Sequence, residues 1–149
     1  IVDRLLDLRM YYDEYRPILL KVSPDLSHEQ LDEIIDYCLR SGIDGIVAGN
    51  TTRSREGITS VSQEKIEAIG NGGMSGAPVH KKNLELVRYI HTRTEGKLPI
   101  IGVGGIMSEQ DAKAMIDAGA SLVEIYSGFI YEGPALVKRI IKYLENNTK

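Results

Sequence analysis

The chain has 149 residues, of which 42% are hydrophobic, and its formal net charge at pH 7 is -3. This length and composition suit one globular domain with a hydrophobic core, and the negative charge argues against a general nucleic-acid binder. The sequence has a single cysteine, no signal-peptide pattern and no apolar run of membrane-spanning length. We therefore expect no internal disulfide and a reducing, cytoplasmic setting.

The first half of the chain predicts two helix–strand units. Apolar residues recur at helical spacing in two stretches and run together over strand length in two others. In order, the predicted elements are a helix to about Arg16, a strand over residues 18–22, a helix from Ser27 to Gly42 and a strand over residues 45–49. Cys38 lies on the apolar stripe of the second helix, so we expect a core residue and not a reactive thiol.

The second half opens with a long stretch that lacks periodicity. Residues 53–82 carry charges, serines and a glycine cluster, with one helical turn predicted over residues 63–69. Loops of this length in a compact domain are usually functional, and the alternative is a mobile lid. The elements predicted after it are a helix over residues 81–92, a strand from Ile100, a helix over 108–119, a strand over 122–126 and a last helix from Pro134.

Small turns follow the last two predicted strands. Gly104 and Gly105 leave bare backbone N–H groups where the first of these strands ends, and Tyr126, Ser127 and Gly128 end the second. Because neighbouring parallel strands end at the same edge of a sheet, the two turns should lie side by side. Amide-rich turns of this kind bind anions, so the sequence predicts a phosphate site at this edge.

Polar residues mark the two earlier strands as well. A lysine in a buried strand, such as Lys21, must reach the rim or meet an anion, because an unpaired buried ammonium group is too costly. Asn50 and Thr51 follow the strand over residues 45–49. Such residues often form ordinary turns, but their hydrogen-bonding groups also suit a planar polar ligand.

Four β/α units in sequence predict a parallel α/β fold. Four strands make half of a (β/α)8 barrel or a small doubly wound sheet, and composition does not choose between them. Residues 102–107, with Glu124 further on, also imitate a dinucleotide-binding fingerprint, but Met107 occupies the third glycine position. A further alternative is a phosphate-binding barrel such as a sugar-phosphate isomerase, against which Lys21, Asn50 and Thr51 weigh.

Five motifs occur in a distinctive order and spacing. They are KVSPD from Lys21, AGNTT from Ala48, GGMSGAP from Gly72, PIIGVGGI from Pro99 and EIYSGFIYEGP from Glu124. Together they resemble the C-terminal half of the class 2, quinone-linked dihydroorotate dehydrogenases. The resemblance implies a (β/α)8 TIM barrel with FMN as cofactor, of which residues 1–149 supply roughly the last four β/α units, with no second domain.

The resemblance also implies roles for individual residues. The cofactor-binding residues would be Lys21, Gly49, Gly76, Gly104, Gly105, Tyr126 and Ser127, and the substrate-binding residues Asn50 and Thr51. Lys21 would lie beside the flavin ring, and the residues from Gly76 onward would hold mainly the phosphate. Two positions depart from the family pattern: Gly49 stands where a side-chain hydroxyl is common, and Glu124, a carboxylate in a strand expected to be buried, stands where glutamine is usual.

The implied activity is FMN-dependent oxidation of dihydroorotate to orotate in pyrimidine biosynthesis, with a quinone as electron acceptor. In this family the catalytic base is a serine of the N-terminal half, so no catalytic residue is predicted in this chain, and no metal ligand either. The chain begins at Ile1 in what looks like the middle of a helix. We therefore expect a piece of a longer protein, inactive alone, that pairs with the missing half or with itself. The parent protein would be cytoplasmic and a candidate for peripheral association with the inner membrane.

Overall fold

The computed structural model describes residues 1–59 and 61–147. Helices and strands alternate along most of the chain, and a 3-10 turn (Ala77–Val79) precedes the fourth helix. In chain order the elements are α1 (Val2–Arg9), β1 (Leu19–Val22), α2 (His28–Ser41), β2 (Gly45–Ala48), α3 (Gln63–Ile69), α4 (His80–Thr94), β3 (Ile100–Val103), α5 (Glu109–Asp117), β4 (Leu122–Glu124), α6 (Ser127–Glu132) and α7 (Ala135–Asn147).

The four strands form one parallel sheet in the order β1-β2-β3-β4. A doubly wound sheet reverses its strand order at a switch point, whereas successive strands of a (β/α)8 barrel lie side by side in chain order. The observed order is therefore that of a barrel segment. The prediction of a parallel α/β fold is confirmed, and the strand order decides the choice that composition leaves open.

The core lies between the sheet and the helices that follow its strands. Ile46 and Ile100 are opposite each other on β2 and β3, and both are fully buried. Ser27 caps α2 in a capping box with Gln30, which fixes where the helix begins. Cys38 is buried on the inner face of α2, and burial raises the pKa of its thiol. The expectation that this cysteine belongs to the core is confirmed.

The first helix ends at Arg9, so the prediction that it continues to about Arg16 is wrong. None of the residues of α1 is buried, so packing contributes little to extending the helix. The chain beyond it is held by Asp44, which pairs with Arg9 at 2.7 Å and accepts a hydrogen bond from the Tyr15 hydroxyl. These side-chain contacts fix an irregular segment that leads to β1.

The long loop contains the helix predicted over residues 63–69, now α3. An antiparallel bridge closes residues 53–73 of this loop: the backbones of Thr52 and Met74 exchange hydrogen bonds of 3.1 and 2.7 Å. Residue 60, which belongs to the same loop prediction, lies outside the described residues. The short helix α6 is absent from the predicted elements. None of the helices in the described ranges is long and apolar enough to cross a membrane.

Candidate functional site

A cavity of about 440 Å³ opens at the carboxyl ends of the four strands. Every residue assigned to a ligand by the family motifs lines it: Lys21, Gly49, Asn50, Thr51, Gly76, Gly104, Gly105, Tyr126 and Ser127. These residues lie up to about a hundred positions apart in the chain, and parallel strands bring their ends to one edge of the sheet. The structure thus places all nine around one space, while the part that each plays there stays a prediction.

The turn after β3 contributes only backbone to the cavity wall. Gly104 and Gly105 have φ angles of 115° and 72°, in the region that favours glycine. A Cβ atom on Gly105 would lie 2.6 Å from the backbone nitrogen of His80, the first residue of α4. The turn is therefore packed tightly against that helix, and both its conformation and its surroundings require glycine.

The turn after β4 meets the glycine-rich loop. The hydroxyl oxygens of Ser127 and Ser75 lie 3.3 Å apart in a hydrogen bond. Gly76, with a φ angle of 79°, lies beside Ser127. Ser75 also lines the cavity but is missing from the predicted site, although its place immediately before Gly76 in the loop is a signal that could have identified it.

Two charged side chains line the cavity. Lys21 on β1 and Glu124 on β4 are both exposed and both line the space. The expectation that their strands are buried is wrong for these two positions, because β1 and β4 are the outer strands of the described sheet. Within the described sheet, Lys21 and Glu124 are therefore both accessible at the cavity.

The segment after β2 is held in place by Asp25. One carboxylate oxygen accepts hydrogen bonds from the Thr52 hydroxyl and from Lys82, whose Nζ atom lies 3.2 Å away. The other accepts from the backbone N–H of Arg53 at 2.7 Å. Desolvation raises the pKa of Asp25, but these hydrogen bonds and the Lys82 charge outweigh it and hold the pKa below its usual value.

Thr52 differs from the two residues before it. It is 1% exposed and it contacts Asp25 and Met74, whereas Asn50 and Thr51 are exposed at the cavity. Of the polar run that follows β2, only the first two members are therefore available to a ligand. Asp25 itself is the last residue of the KVSPD motif, which gives no indication of its contacts with a segment 27 residues away.

Comparison with known protein families identifies the family of the chain that forms this cavity. The family model described as dihydroorotate dehydrogenase matches residues 6–147. The chain belongs to the dihydroorotate dehydrogenase family. The prediction made from the five motifs is confirmed.

Individual members of this family are similar over most of the chain. The dihydroorotate dehydrogenase (quinone) of Proteus mirabilis (strain HI4320) is 44% identical over 144 residues, which are 97% of this chain and 42% of that protein. That of Salinispora arenicola (strain CNS-205) is 47% identical over 123 residues, 83% of this chain and 36% of that protein. The chain thus spans less than half the length of these curated relatives.

A solved structure of the same family shares the fold. The crystal structure of DHODH from Eimeria tenella in complex with ferulenol matches 91% of this chain and 35% of its own, with a TM-score of 0.80 and 34% identity. This likeness agrees with the barrel-like strand order and confirms the predicted fold class.

One buried polar residue behind the cavity is missing from the family motifs. Asn83 of α4 is fully buried, and its Nδ2 atom donates a hydrogen bond to the backbone carbonyl of Asn50 at 3.2 Å. In the sequence, Asn83 lies on the same helical face as Val87 and Ile90. A polar residue on an apolar stripe indicates a buried hydrogen bond, and this pattern could have identified Asn83.

The described residues do not form a metal-binding cluster. In the two described ranges, no three His, Cys, Asp or Glu side chains are grouped so that they could hold a metal ion. The chemistry available at the cavity is therefore that of backbone amides, hydroxyls, one amide side chain and the charges of Lys21 and Glu124.

Proposed function

We propose that the protein to which this chain belongs oxidises dihydroorotate to orotate in pyrimidine biosynthesis, with FMN as cofactor and a quinone as electron acceptor. One observation carries the proposal: all nine residues that the family motifs assign to flavin and substrate converge on one cavity. The chain spans 42% or less of the first two relatives. The proposal therefore concerns a longer protein, which also contains the part of those relatives that this chain does not cover.

The residues of the cavity fit FMN. Its phosphate needs hydrogen-bond donors on a close-fitting surface, and Gly76, Gly104 and Gly105 present backbone without side chains in left-handed conformations. Tyr126 and Ser127 line the neighbouring wall, where the Ser127 hydroxyl, which donates to Ser75 in this structure, can rotate to donate to a phosphate instead. We assign these five residues to the phosphate end of FMN, and the backbone of Gly49 to its ring end.

Lys21 supplies the positive charge of the site. FMN, when bound, accepts a hydride equivalent and so becomes more electron-rich. An ammonium group fixed at the cavity wall favours the state in which that negative charge has developed. Because the Lys21 side chain is exposed to the cavity and makes no hydrogen bond or ion pair within residues 1–59 and 61–147, its charge is available to a ligand.

Asn50 and Thr51 bind the substrate in this proposal. Dihydroorotate has a polar edge of carbonyl and N–H groups, which an amide and a hydroxyl side chain can hold in one orientation. Orientation matters because hydride transfer requires the two reacting atoms to be held close together. The contacts of Asp25 with Thr52 and Arg53 keep this segment in place.

Removal of the substrate proton is assigned to a group outside this chain. In the family resemblance the base is a serine of the N-terminal half, whereas Ser23, Ser75 and Ser127 occupy binding or turn positions. We therefore expect this chain alone to bind FMN weakly at most and to be inactive. Cytoplasmic location, and peripheral association of the whole protein with the inner membrane, stay predictions.

Spectroscopy of the full-length protein tests the proposal. We expect a yellow protein that releases FMN on denaturation, is bleached by dihydroorotate without oxygen, and regains its colour when a quinone is added. A colourless protein that neither binds FMN nor consumes dihydroorotate would contradict the proposal and favour a phosphate-binding barrel of another kind. Bleaching without quinone-dependent recovery would support the oxidation of dihydroorotate but contradict a quinone as the electron acceptor.

A further inference from the structure

Asn83 lies behind the cavity, between the turns that follow β2 and β3. Its side chain is fully buried, its Nδ2 atom donates to the carbonyl of Asn50 in the first turn, and it packs against Gly104 in the second. A Cβ atom on Gly104 would overlap the same Nδ2 atom. One side chain therefore touches both segments that carry predicted ligand residues, although it does not itself line the cavity.

The orientation of the Asn83 amide follows from this hydrogen bond. A carbonyl oxygen requires a donor, so the NH2 group must face Asn50, and the Oδ1 atom then points the other way. Oδ1 is buried without a hydrogen-bond partner among the described residues. It lies against Gly49, where a Cβ atom would overlap it and would lie 3.2 Å from the Cγ atom of Asn83.

Space, rather than a left-handed φ angle, thus requires glycine at residue 49. Gly49 is absent from the glycines whose φ angles lie in the left-handed region. A Cβ atom would also lie 2.9 Å from a terminal methyl group of Leu86, which can rotate away. The Asn83 carboxamide cannot move in the same way, because its hydrogen bond to Asn50 and its full burial hold it in place.

We propose that Asn83 is a positioning residue that holds the turns after β2 and β3 from behind the cavity, and that its carboxamide occupies the space which a side chain at residue 49 would need. Gly49 and Asn83 are then a coupled pair. This explains how the chain tolerates glycine at a position where the family commonly has a side-chain hydroxyl. The positioning role rests on the proposed function, since it supposes that these turns bind FMN and dihydroorotate.

A double-mutant cycle in the full-length protein tests the coupling. The variants are Gly49→Ala, Asn83→Ala and the two combined, with Gly72→Ala as control, because a Cβ atom on Gly72 would meet nothing within 4 Å. We expect Gly49→Ala to lower the urea midpoint of unfolding and to weaken FMN binding about tenfold when Asn83 is present, and to change affinity by less than about twofold in the Asn83→Ala background. Gly72→Ala should change neither quantity.

A second comparison separates positioning from packing. Asn83→Leu keeps the branching at Cγ and the number of heavy atoms but removes the donor to Asn50, whereas Asn83→Ala removes both the branched group and the donor. Both variants should raise the KM for dihydroorotate by a larger factor than they lower kcat, because both release the carbonyl of Asn50. Only Asn83→Ala should make Gly49→Ala tolerable.

Each outcome decides the proposal. Additive effects of Gly49→Ala and Asn83→Ala on the unfolding midpoint overturn the coupling, and an unchanged KM in both Asn83 variants overturns the positioning role. If Gly49→Ala fails to fold, recovery of folded protein in the double variant supports the proposal, and failure of the double variant where Asn83→Ala folds rejects it. If the wild-type protein binds no FMN, the proposed function fails, and the unfolding cycle still decides the coupling.

Discussion

The Oδ2 atom of Asp25 lies 2.7 Å from the backbone nitrogen of Arg53, so the turn after β1 is hydrogen-bonded to the segment after β2. The Asp25 side chain is 27% exposed, and Lys82 of α4 reaches the same carboxylate. Three parts of the chain therefore meet at one partly buried charge. The segment that carries Asn50 and Thr51 depends on this junction for its position.

Removal of the carboxylate should loosen this segment. We expect Asp25→Ala to lower the free energy of unfolding by roughly 1–3 kcal/mol, because hydrogen bonds to a charged group are lost and the Arg53 N–H is left without its acceptor. In the full-length enzyme the KM for dihydroorotate should rise as well. Asp13→Ala is the control, since Asp13 is exposed and makes no side-chain hydrogen bond to the described residues. Equal stability of the two variants would reject the role given to Asp25.

The stability of the fold should fall in acid through Asp25 and Asp44. Desolvation raises the pKa of Asp44, but hydrogen bonds from Tyr15 and Ile18 and the charge of Arg9 outweigh it, so its pKa, like that of Asp25, is lowered from 3.8. Groups with a lowered folded-state pKa stabilise the protein fully above the unfolded-state pKa, and this stabilisation is lost as the pH falls through the folded-state pKa.

Urea unfolding at several pH values checks this expectation. We expect the unfolding free energy contributed by the two carboxylates to be constant between about pH 7 and pH 5 and to decline below about pH 4. Asp25→Asn should make the decline shallower, because one of the two titrating groups is removed. An unchanged acid limb in Asp25→Asn would show that this carboxylate does not contribute to the pH dependence.

Gly105 offers a test of the predicted phosphate cradle. Gly105→Ala adds a Cβ atom 2.6 Å from the His80 backbone in a residue with a φ angle of 72°, so the turn must shift. We expect FMN affinity to fall by about tenfold or more, measured by fluorescence titration, because backbone donors move with the turn. Gly133→Ala is matched, with a φ angle of 70° and nothing within 4 Å of the added atom.

The Gly133 control separates strain from site geometry. Both alanine variants carry the cost of a residue held at a positive φ angle, about 1–3 kcal/mol of stability. Only Gly105→Ala should also lose FMN affinity, because Gly133 does not line the cavity. Similar FMN affinities in the two variants would argue against the assignment of Gly105 to the phosphate.

Local sequence signals were sufficient for most of the fold. The capping box of Ser27 and Gln30 and the apolar stripe through Cys38 predict α2, and short apolar runs predict the strands, because hydrophobic periodicity follows directly from which face is buried. The end of α1 was not predictable in this way. It depends on Asp44, which draws Arg9 and Tyr15 into contacts with a distant part of the chain.

The cavity shows the same division between local and long-range information. The family motifs name nine residues, and the order of parallel strands brings all of them to one edge. The exposure of Glu124 was missed, and that of Lys21 was only one of two alternatives, because exposure depends on which strands are outermost in the described sheet. The role of Asn83 was missed too, because a helix residue touches Gly49 and Gly104 only through tertiary packing.

Lys21 should affect chemistry more than stability. In the full-length enzyme we expect Lys21→Met to fold normally, because Lys21 makes no side-chain hydrogen bond or ion pair to the described residues, and to slow flavin reduction by dihydroorotate by about tenfold or more, because a charge that favours the reduced state is lost. Anaerobic stopped-flow absorbance measures this rate. Lys81→Met, an exposed lysine on α4 that does not line the cavity, should leave the rate unchanged. A Lys21→Met enzyme as fast as wild type would remove this residue from the mechanism.

The outer strands of the sheet predict how this chain behaves by itself. β1 and β4 each have one neighbour in the described sheet, and Leu122 of β4 and Ile130 of α6 are 62% and 72% exposed. Because unpaired strand edges with apolar surface attract further strands, we expect the isolated chain to self-associate in light scattering, and less so with a polypeptide that supplies the other barrel strands. Leu122→Lys should reduce self-association, whereas Ile69→Lys, an equally exposed position on α3, should not. A stable wild-type monomer would contradict this expectation.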